Sequence, residues 1–301
     1  MTVRSRLAPT PSGYLHAGNA VNFLRTWLMV RRAGGSLRLR IDDADSERAR
    51  PEFVSDIFAQ LDWLGLSWDD GPTGPDDFYQ RHSQLLRLER YREFLRHLAA
   101  RAQLFACSCS RRQIQQHSAT GIYPGTCRGR RLLTANEPTR IHVPRDSIIS
   151  VDSEAIPLCH EMGDFVIWRR NGLPAYQLAS LVDDLDHGTT LIVRGRDLMH
   201  STAAQLFLAS HCDETAFAQS MFVHHPLITC AAGQKLSKSH SSLSLHAMRM
   251  TGTSPTDIYR LAAQHMGIDH RQIVDLNDLL TAYRQLAADQ EIIPGPLDKT
   301  P

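Results

Sequence analysis

Two short stretches of this sequence, more than two hundred residues apart, hold residues that could bind phosphate. His16, Gly18 and Asn19 stand where a turn rich in proline and glycine runs into helix-spaced apolar residues. Such a junction presents backbone N–H groups and the positive end of a helix dipole, which together favour an anion. His16 adds a donor, and Gly18 lets a ligand approach the backbone. The first stretch therefore predicts a phosphate site, with a capped core helix as the alternative.

The second stretch contains Lys235 and Lys238, and the chain has one other lysine, Lys299. The remaining permanent cations are arginines, so two lysines placed this close together indicate a need for compact, mobile charges. Phosphate oxygens bound by a flexible loop fit that need. A solvated basic turn is the alternative, but the occurrence of both stretches in one chain favours phosphate binding.

A third group consists of the cysteines Cys107, Cys109 and Cys127. Three thiols this close in sequence suit a structural zinc ion, although the Cys-x-Cys spacing is tighter than usual. Ligand chemistry alone proposes His117 as the fourth ligand, and three unliganded thiols on a loop are the alternative. The remaining cysteines lie far apart and are predicted to be apolar fillers: Cys159, Cys212 and Cys230.

Apolar periodicity predicts the elements that position these groups. In a strand predicted over 36–41, apolar residues alternate with Arg38 and Arg40, so one face is expected to border a polar cleft. This strand ends at Asp42, and open α/β sheets bind ligands at the carboxyl ends of their strands. Asn171-Gly172 predicts a hairpin turn.

Further elements follow from the same patterns. One long arginine-rich helix is predicted from about Phe78 to Arg101, as a solvated face, with RNA contact as the alternative. The other predicted helices lie at 18–34, 51–65, 178–184, 201–210, from 254 onward and at 277–288, and the other strands lie at 139–143, 164–169, 190–193 and 221–224.

Composition bounds the function. A net charge of +1 over 301 residues excludes a bulk polycation, so any nucleic-acid contact must come from local arginine clusters. The first residues contain no apolar leader segment, no stretch approaches a membrane span, and six cysteines in this length are no secreted disulfide framework. We therefore expect a cytoplasmic protein.

Taken together, these motifs resemble one known family. The pair His16–Asn19 and Lys235–Ser239 is similar to the two signature motifs of class I aminoacyl-tRNA synthetases. The flanking frame resembles the glutamyl branch, and most closely its short paralogue, which esterifies queuosine at the wobble position of tRNA(Asp). That frame comprises Arg6–Gly13, Leu39–Asp43, Val193–Gly195 and the three cysteines.

The resemblance implies an α/β fold. The expected architecture is a doubly wound Rossmann-type parallel sheet, split by an inserted zinc-bearing segment and followed by a short helical C-terminal subdomain. The expected segments are 1–105 and 171–250 for the two halves of the sheet domain, 106–170 for the insertion and 251–301 for the helices. The resemblance also points to Tyr123, rather than His117, as the fourth zinc ligand.

The resemblance further implies two-step acyl transfer. Glutamate would attack the α-phosphorus of ATP, and an RNA hydroxyl would then take the acyl group without a covalent enzyme intermediate. ATP would be bound by His16, Gly18, Asn19 and Lys238, with Mg²⁺ entering alongside the nucleotide. The implied catalytic residues are His16, Lys235 and Lys238, the lysines neutralising the departing pyrophosphate.

The glutamate pocket is also implied by resemblance. Arg6 would face the side-chain carboxylate as a bidentate partner, and Asp42 would take the α-ammonium group. The full implied set is Arg6, Leu7, Ala8, Pro9, Thr10, Asp42, Tyr176 and Arg194. The glutamyl family normally has glutamate where this chain has Asp42, and glutaminyl relatives carry aspartate there. Arg194 matches the glutamyl pattern, so glutamate is expected and glutamine stays open.

The acceptor is expected from the length of the chain. About sixty residues follow Ser239, too few for the anticodon-reading domain of a full tRNA(Glu) ligase. We therefore expect a monomer that docks on the anticodon stem-loop of tRNA(Asp), where splayed bases can enter a pocket. A shortened tRNA(Glu) ligase, a small-molecule nucleotidyltransferase and a non-catalytic RNA-binding paralogue are the alternatives.

The lysine stretch gives the first testable prediction. Replacing Lys238 with Ala is expected to slow glutamate-dependent ATP–pyrophosphate exchange by ~100-fold or more, because a charge-stabilising donor acts mainly in the transition state. ATP binding, measured on the same variant as the control, should change much less. Near-normal exchange would show that the lysine stretch is not catalytic.

Overall fold

The computed structural model describes residues 2–130, 137–227 and 244–286. Lys235, Lys238 and Cys230 lie outside these residues. The chain divides into two compact units. Unit 1 contains the residues up to Ser83, Thr189–Arg196 and those from Met221 onward, and unit 2 contains Gln84–Gly188 and Asp197–Ser220. The four segments expected from the sequence stay a prediction.

Strands and helices alternate along much of the described chain. The strands are β1 Arg4–Leu7, β2 Ser36–Leu39, β3 Leu104–Ala106, β4 Thr139–Ile141, β5 Ile148–Val151, β6 Glu154–Pro157, β7 Val166–Trp168, β8 Leu191–Gly195 and β9 Met221–His225. The α-helices are α1 Ala17–Arg32, α2 Pro51–Trp63, α3 Pro75–Asp77, α4 Leu88–Ala99, α5 Arg111–His117, α6 Leu158–Glu161, α7 Tyr176–Asp186, α8 Met199–His211, α9 Thr215–Ala218, α10 Leu245–Met250, α11 Pro255–His265 and α12 Leu276–Gln285. Within the described residues, no helix is both long and apolar enough to span a bilayer.

Unit 1 is built on parallel strand pairs. β1 pairs in parallel with β2, and β8 pairs in parallel with β9. β1 lies beside β8, because the Thr190 N–H donates to the Arg4 carbonyl at 2.9 Å and the Ser5 hydroxyl to the Leu191 carbonyl at 2.8 Å. The two parallel pairs therefore lie side by side, with β1 next to β8. These strands and the helices around them confirm the predicted α/β class.

Helix α1 forms the centre of the core of unit 1. Ala20, Leu24 and Leu28 recur at helical spacing and are fully buried, so one face of the helix packs on the strands. α11 and α12 pack against the same helix. α11 begins at Ser254, whose hydroxyl accepts from the Asp257 N–H, followed by proline in the first turn. This start agrees with the sequence prediction.

Unit 2 combines antiparallel strands with helices. β4 lies between β3 and β7, and β5 and β6 form a separate hairpin. The predicted turn at Asn171-Gly172 is present: Gly172 has φ of +76°, and the Arg169 N–H donates to the Leu173 carbonyl at 2.8 Å. Hairpin β5–β6 was not predicted.

The predicted single helix from Phe78 to Arg101 is wrong. The structure has a π-helical turn over Phe78–His82, a 3₁₀ turn over Gln84–Arg87 and then α4. Ser83 interrupts the helix in an extended conformation, and its hydroxyl donates to the buried Asp43 carboxylate. The backbone therefore follows a buried hydrogen bond rather than the local helical preference.

Buried polar contacts fasten α4 to α7 within unit 2. The Asp183 carboxylate is fully buried and accepts from the Gln84 amide, the Arg87 guanidinium and the Tyr91 hydroxyl at 2.8–2.9 Å. A buried carboxylate with three donors is satisfied, so these contacts position α7 and its first residue, Tyr176.

Candidate active site

The four strands of unit 1 divide their side chains between an apolar face and a charged face. Odd-numbered residues of β1, β2, β8 and β9, such as Leu7 and Val193, belong to the core around α1. Successive side chains of a strand point to opposite faces, so the even-numbered residues face away from that core. Arg6 pairs in register with Arg38, and Arg194 with His224. The even-numbered residues of these strands include four arginines, Arg4, Arg6, Arg38 and Arg194.

Burial of this charged face is unusual. Arg6 is 6% exposed and Arg194 is 2% exposed. Arginine is rarely this buried unless its guanidinium forms an ion pair within the protein or binds an anionic ligand. The alternation in β2 indicated a polar cleft on one face, and the structure places both predicted glutamate-binding arginines on that face.

Asp42 lies just beyond β2 in a buried ion pair with Arg40. Its two carboxylate oxygens accept from the guanidinium at 2.7 and 3.2 Å. The backbone continues the pairing of β1 with β2, since the Asp42 N–H donates to the Pro9 carbonyl at 2.8 Å and the Arg40 N–H to the Leu7 carbonyl at 2.8 Å. The predicted residues Leu7 to Thr10 therefore run alongside the residues that end in Asp42.

His16 lies at the N-terminus of α1, where the sequence predicts a phosphate site. Its backbone N–H donates to the Asn19 side-chain oxygen at 3.0 Å, so Asn19 caps the loop that enters the helix. The first turn of α1, which includes Gly18, contains no acidic residue to occupy the positive end of the dipole. This helix start can bind an anion.

Both ends of the segment that contains the lysines attach near the start of α1. Before it, the His225 ring nitrogen Nε2 lies 3.0 Å from the side-chain oxygen of Asn22 on α1. After it, Ser244 forms a β-bridge with His16, and the Leu245 N–H donates to the Leu15 carbonyl at 2.7 Å.

Three thiols come together in unit 2. The sulfur atoms of Cys107, Cys109 and Cys127 lie within 4.8 Å of one another, and those of Cys109 and Cys127 are 3.6 Å apart. Thiolates on a tetrahedral zinc ion are about 3.8 Å apart, given Zn–S distances of ~2.3 Å. This group, found among the described residues, has the composition and spacing of a zinc site.

Tyr123 lies at this group, whereas His117 does not belong to it. The Tyr123 hydroxyl accepts from the Cys127 N–H at 2.6 Å, and the Arg140 guanidinium lies 4.1 Å from the centre of its ring. His117, at the end of α5, is exposed, and its Nδ1 lies 2.9 Å from the Gln113 carbonyl oxygen.

The electrostatics of the thiol group are uneven. Burial works to raise the pKa of Cys127, but hydrogen bonds from the Tyr123 hydroxyl, the Ser108 backbone and other side chains outweigh it and lower that pKa to about 6. Burial and contacts with the other two thiols raise the pKa of Cys109 to about 11. One thiol of the group is therefore readily ionised, as a metal ligand must be.

Sequence reasoning missed three side-chain contacts in unit 1. Arg40 and Asp42 are two residues apart in an extended segment, which places their side chains on the same face. This spacing could have predicted their contact from the sequence. Asp43, bound by Ser83, and the contact of His225 with Asn22 join residues 40 and 203 positions apart, so local patterns carry no signal for them. Of the predicted fillers, Cys212 is buried and Cys159 is partly buried.

Comparisons with known proteins agree with the motifs. The sequence profile of "tRNA synthetases class I (E and Q), catalytic domain" matches residues 2–134 and 138–283. The chain is 39% identical to a glutamyl-Q tRNA(Asp) synthetase of Symbiobacterium thermophilum, over 97% of this chain and 96% of that protein. It is 35% identical to a glutamate--tRNA ligase of Acidithiobacillus ferrooxidans, over 85% of this chain and 55% of that protein.

The fold is also shared with solved structures. A glutamate-tRNA synthetase of Elizabethkingia anophelis aligns with a TM-score of 0.71 at 20% identity, over 96% of this chain and 69% of that chain. The chain therefore belongs to the class I tRNA synthetases of the E and Q type, which are ligases, and within that class to the glutamyl-Q tRNA(Asp) synthetase family.

The Arg40–Asp42 pair gives a prediction on stability. Arg40→Met leaves the buried Asp42 carboxylate without its charge partner, so the free energy of unfolding should fall by about 3–5 kcal/mol. Urea unfolding measures this loss. Arg48→Ala, which removes an exposed pair with Asp45, is the matched control and should cost about 1 kcal/mol or less. Equal losses in the two variants would contradict a supporting role for the buried pair.

Proposed function

We propose that this protein activates L-glutamate with ATP and transfers it to queuosine at the wobble position of tRNA(Asp). The observation that carries the proposal is a likeness over nearly the whole length of both chains to a protein named for that activity. Relatives named glutamate--tRNA ligase are matched over only 54–62% of their length.

The chemistry requires no covalent enzyme nucleophile. A glutamate α-carboxylate oxygen attacks the α-phosphorus of ATP, a P–O bond forms, and pyrophosphate leaves with the electrons of the broken bond. A queuosine hydroxyl then attacks the activated carbonyl, and AMP departs. Catalysis thus depends on positioning and on charge stabilisation at the phosphorus and on the leaving group.

The start of α1 supports the proposed ATP-binding role. His16, Gly18 and the helix dipole would bind phosphate oxygens, with Asn19 holding the loop in place. Lys235 and Lys238 would neutralise the departing pyrophosphate, and Mg²⁺ would enter with the nucleotide. The attachment of the described residues on both sides of this segment near the start of α1 supports this role.

The charged face of the strands supports glutamate as the substrate. Arg6 and Arg194 are buried cations on that face, and a substrate carboxylate would accept charge-assisted hydrogen bonds from their guanidinium groups. Asp42 would accept from the α-ammonium group as an ionised carboxylate, which has about four acceptor positions. Tyr176 keeps its predicted role in glutamate binding as part of the proposal.

The acceptor is tested with labelled amino acid. Incubation with ATP should label queuosine-containing tRNA(Asp) but not the same RNA without the modification. Cleavage of the charged RNA between its anticodon and acceptor arms should leave the label on the anticodon fragment. Glutamine should replace glutamate poorly, because its neutral amide cannot form the bidentate charge-assisted pair that a carboxylate would form with Arg6.

Two results would contradict this proposal. Label on the 3′ fragment, or on tRNA(Glu), would show the alternative function, that of a shortened glutamate--tRNA ligase. The similarity of the chain to such ligases supports this alternative. Equal use of glutamine would refute glutamate specificity and make Asp42 the residue that decides the substrate.

We further propose that the protein acts as a monomer on the anticodon stem-loop. We also propose that the segment 106–170 is a zinc-bearing insertion in a doubly wound Rossmann-type sheet. Cys107, Cys109 and Cys127 would supply three thiolates to one structural zinc ion. The Tyr123 oxygen, at the thiols, would supply the fourth ligand. The ion would hold the loops around Cys109 and Cys127 together.

Zinc content tests this assignment. Elemental analysis should find about one zinc ion per chain, and Cys127→Ser should lose it. Tyr123→Phe removes only the hydroxyl and should weaken zinc retention against a chelator. His117→Ala is the control and should retain zinc like the unmodified protein. Retention in Tyr123→Phe together with loss in His117→Ala would reverse the choice of fourth ligand.

A further inference from the structure

A buried carboxylate of unit 2, that of Asp164, lies just before β7 and outside the groups assigned so far. It is fully buried, and it accepts from Nε and Nη2 of Arg128 at 2.6 and 3.2 Å. Its Oδ1 also accepts from the Val143 N–H at 3.0 Å and lies 3.1 Å from His142 Nδ1. An ionised carboxylate has about four acceptor positions, so these contacts satisfy it.

Two arginines connect Asp164 to the thiol group. Arg128 directly follows Cys127, so its bidentate pair with Asp164 anchors the loop that carries this thiol. The Arg140 guanidinium donates to the Asp164 carbonyl at 2.7 Å and also lies 4.1 Å from the centre of the Tyr123 ring. Asp164 therefore contacts one arginine next to Cys127 and another that packs on Tyr123.

The residue before Asp164 makes a third contact with the same loop. Gly163 forms a parallel β-bridge with Tyr123 and has φ of +60°. A Cβ atom at this position would lie 2.6 Å from Ile122 Cγ2, closer than real side chains come. The close approach of the two backbones thus requires glycine.

One antiparallel sheet supports both parts of the thiol group. β3 leads into Cys107, β7 follows Asp164, and β4 pairs with both strands. The ring of Phe105 on β3 stacks with the Tyr123 ring, with centroids 6.0 Å apart. The loop that runs from Tyr123 to Cys127 therefore packs against the sheet that supports Cys107.

We propose that Asp164 is a positioning residue for the three thiols and Tyr123. Through its two arginines, Asp164 holds the loop of residues 123–128 against the sheet. The inference rests on the zinc site of the proposed function, because it assigns Asp164 a role in arranging the zinc ligands. Asp164 need not contact the ion for this effect.

The physical reason for this role is preorganisation. The thiols lie on two loops, and metal binding must offset the entropy lost in ordering them unless the protein has already fixed their places. Arg130 makes a second tie, donating to the Ser108 hydroxyl at 2.9 Å, but its carboxylate partner Glu137 is partly exposed. Asp164 is fully removed from water, so its charge-assisted pair with Arg128 should hold the loop more strongly.

Zinc affinity of the purified full chain tests the proposal, by competition with a chromophoric chelator. Asp164→Asn should weaken zinc binding by about 10- to 100-fold, the usual cost of losing a group that orients metal ligands. Asp183→Asn is the matched control, because Asp183 is equally buried in unit 2 and pairs with Arg87 as Asp164 pairs with Arg128. The control should lower stability and leave zinc affinity nearly unchanged.

Variants of Arg128 test the same contact from the loop. Arg128→Gln should weaken zinc binding as Asp164→Asn does, and Arg128→Lys, which keeps the charge without the bidentate pair, should recover part of the loss. Because the two residues act through one contact, the double variant Asp164→Asn/Arg128→Gln should lose little more than either single variant. Arg87→Gln is the matched control.

A glycine variant disturbs the same place without changing any charge. Gly163→Ala puts a methyl group against Ile122 and should also weaken zinc binding. Gly172→Ala is its matched control, because Gly172 has φ of +76° but a Cβ atom there meets nothing within 4 Å. Both variants strain the backbone, so the difference between them reports on the contact with the loop.

Amide hydrogen exchange gives a readout that does not depend on zinc affinity. Asp164→Asn should speed exchange in residues 122–130, where the Cys127 N–H donates to the Tyr123 hydroxyl. Asp183→Asn should leave exchange in these residues unchanged.

The outcomes separate this inference from the proposed zinc site. If the unmodified protein binds no zinc, the zinc site is refuted, while the exchange rates still report on the anchor. Unchanged zinc affinity or unchanged exchange in Asp164→Asn would overturn the positioning role, and so would equal losses of affinity in Asp164→Asn and Asp183→Asn. If Asp164→Asn does not fold, equal zinc affinities of Gly163→Ala and Gly172→Ala would overturn it.

Discussion

The candidate site depends on one property of the strands in unit 1, the alternation of side chains between two faces. Leucines and valines on one face pack against α1, and arginines on the other face are buried without joining that core. Burying a guanidinium costs free energy unless a partner compensates its charge. Arg6 and Arg194 are the two most buried arginines of that face, which would make it the face where an anionic group binds under the proposed function.

The same constraint explains why the site gathers around α1. β1 supplies Arg6, its continuation borders Asp42, and the chain then turns through Tyr14 and His16 into the helix. The helix buries its apolar face on the odd-numbered strand residues and offers its N-terminus at the end of the loop. Under the proposed function, substrate carboxylate and nucleotide phosphate would both be bound by residues of this one strand–loop–helix unit, at the end of the sheet where open α/β folds bind their ligands.

Sequence patterns predicted the parts whose structure follows from local periodicity. The strands β2, β8 and β9, helix α1 and the start of α11 were predicted because apolar patterns and helix-start residues act over a few positions. The helix from Phe78 was predicted wrongly because Ser83 bonds to Asp43, a contact forty positions away. Hairpin β5–β6 was missed because Asp152 and Ser153, rather than glycine, take the left-handed conformation in its turn.

The proposed metal site shows why the type of side chain alone could not predict which residues lie at the three thiols. Histidine is a better zinc ligand than tyrosine, so ligand chemistry proposed His117. The capping of α5 by Ser110 starts a helix that carries His117 to its exposed end, where Nδ1 bonds to the carbonyl one turn earlier. The chain then turns through Gly121, with φ of +74°, and brings Tyr123 to Cys127. The path of the backbone therefore decides which side chain lies near the thiols. The cap at Ser110 and the turn at Gly121 set that path.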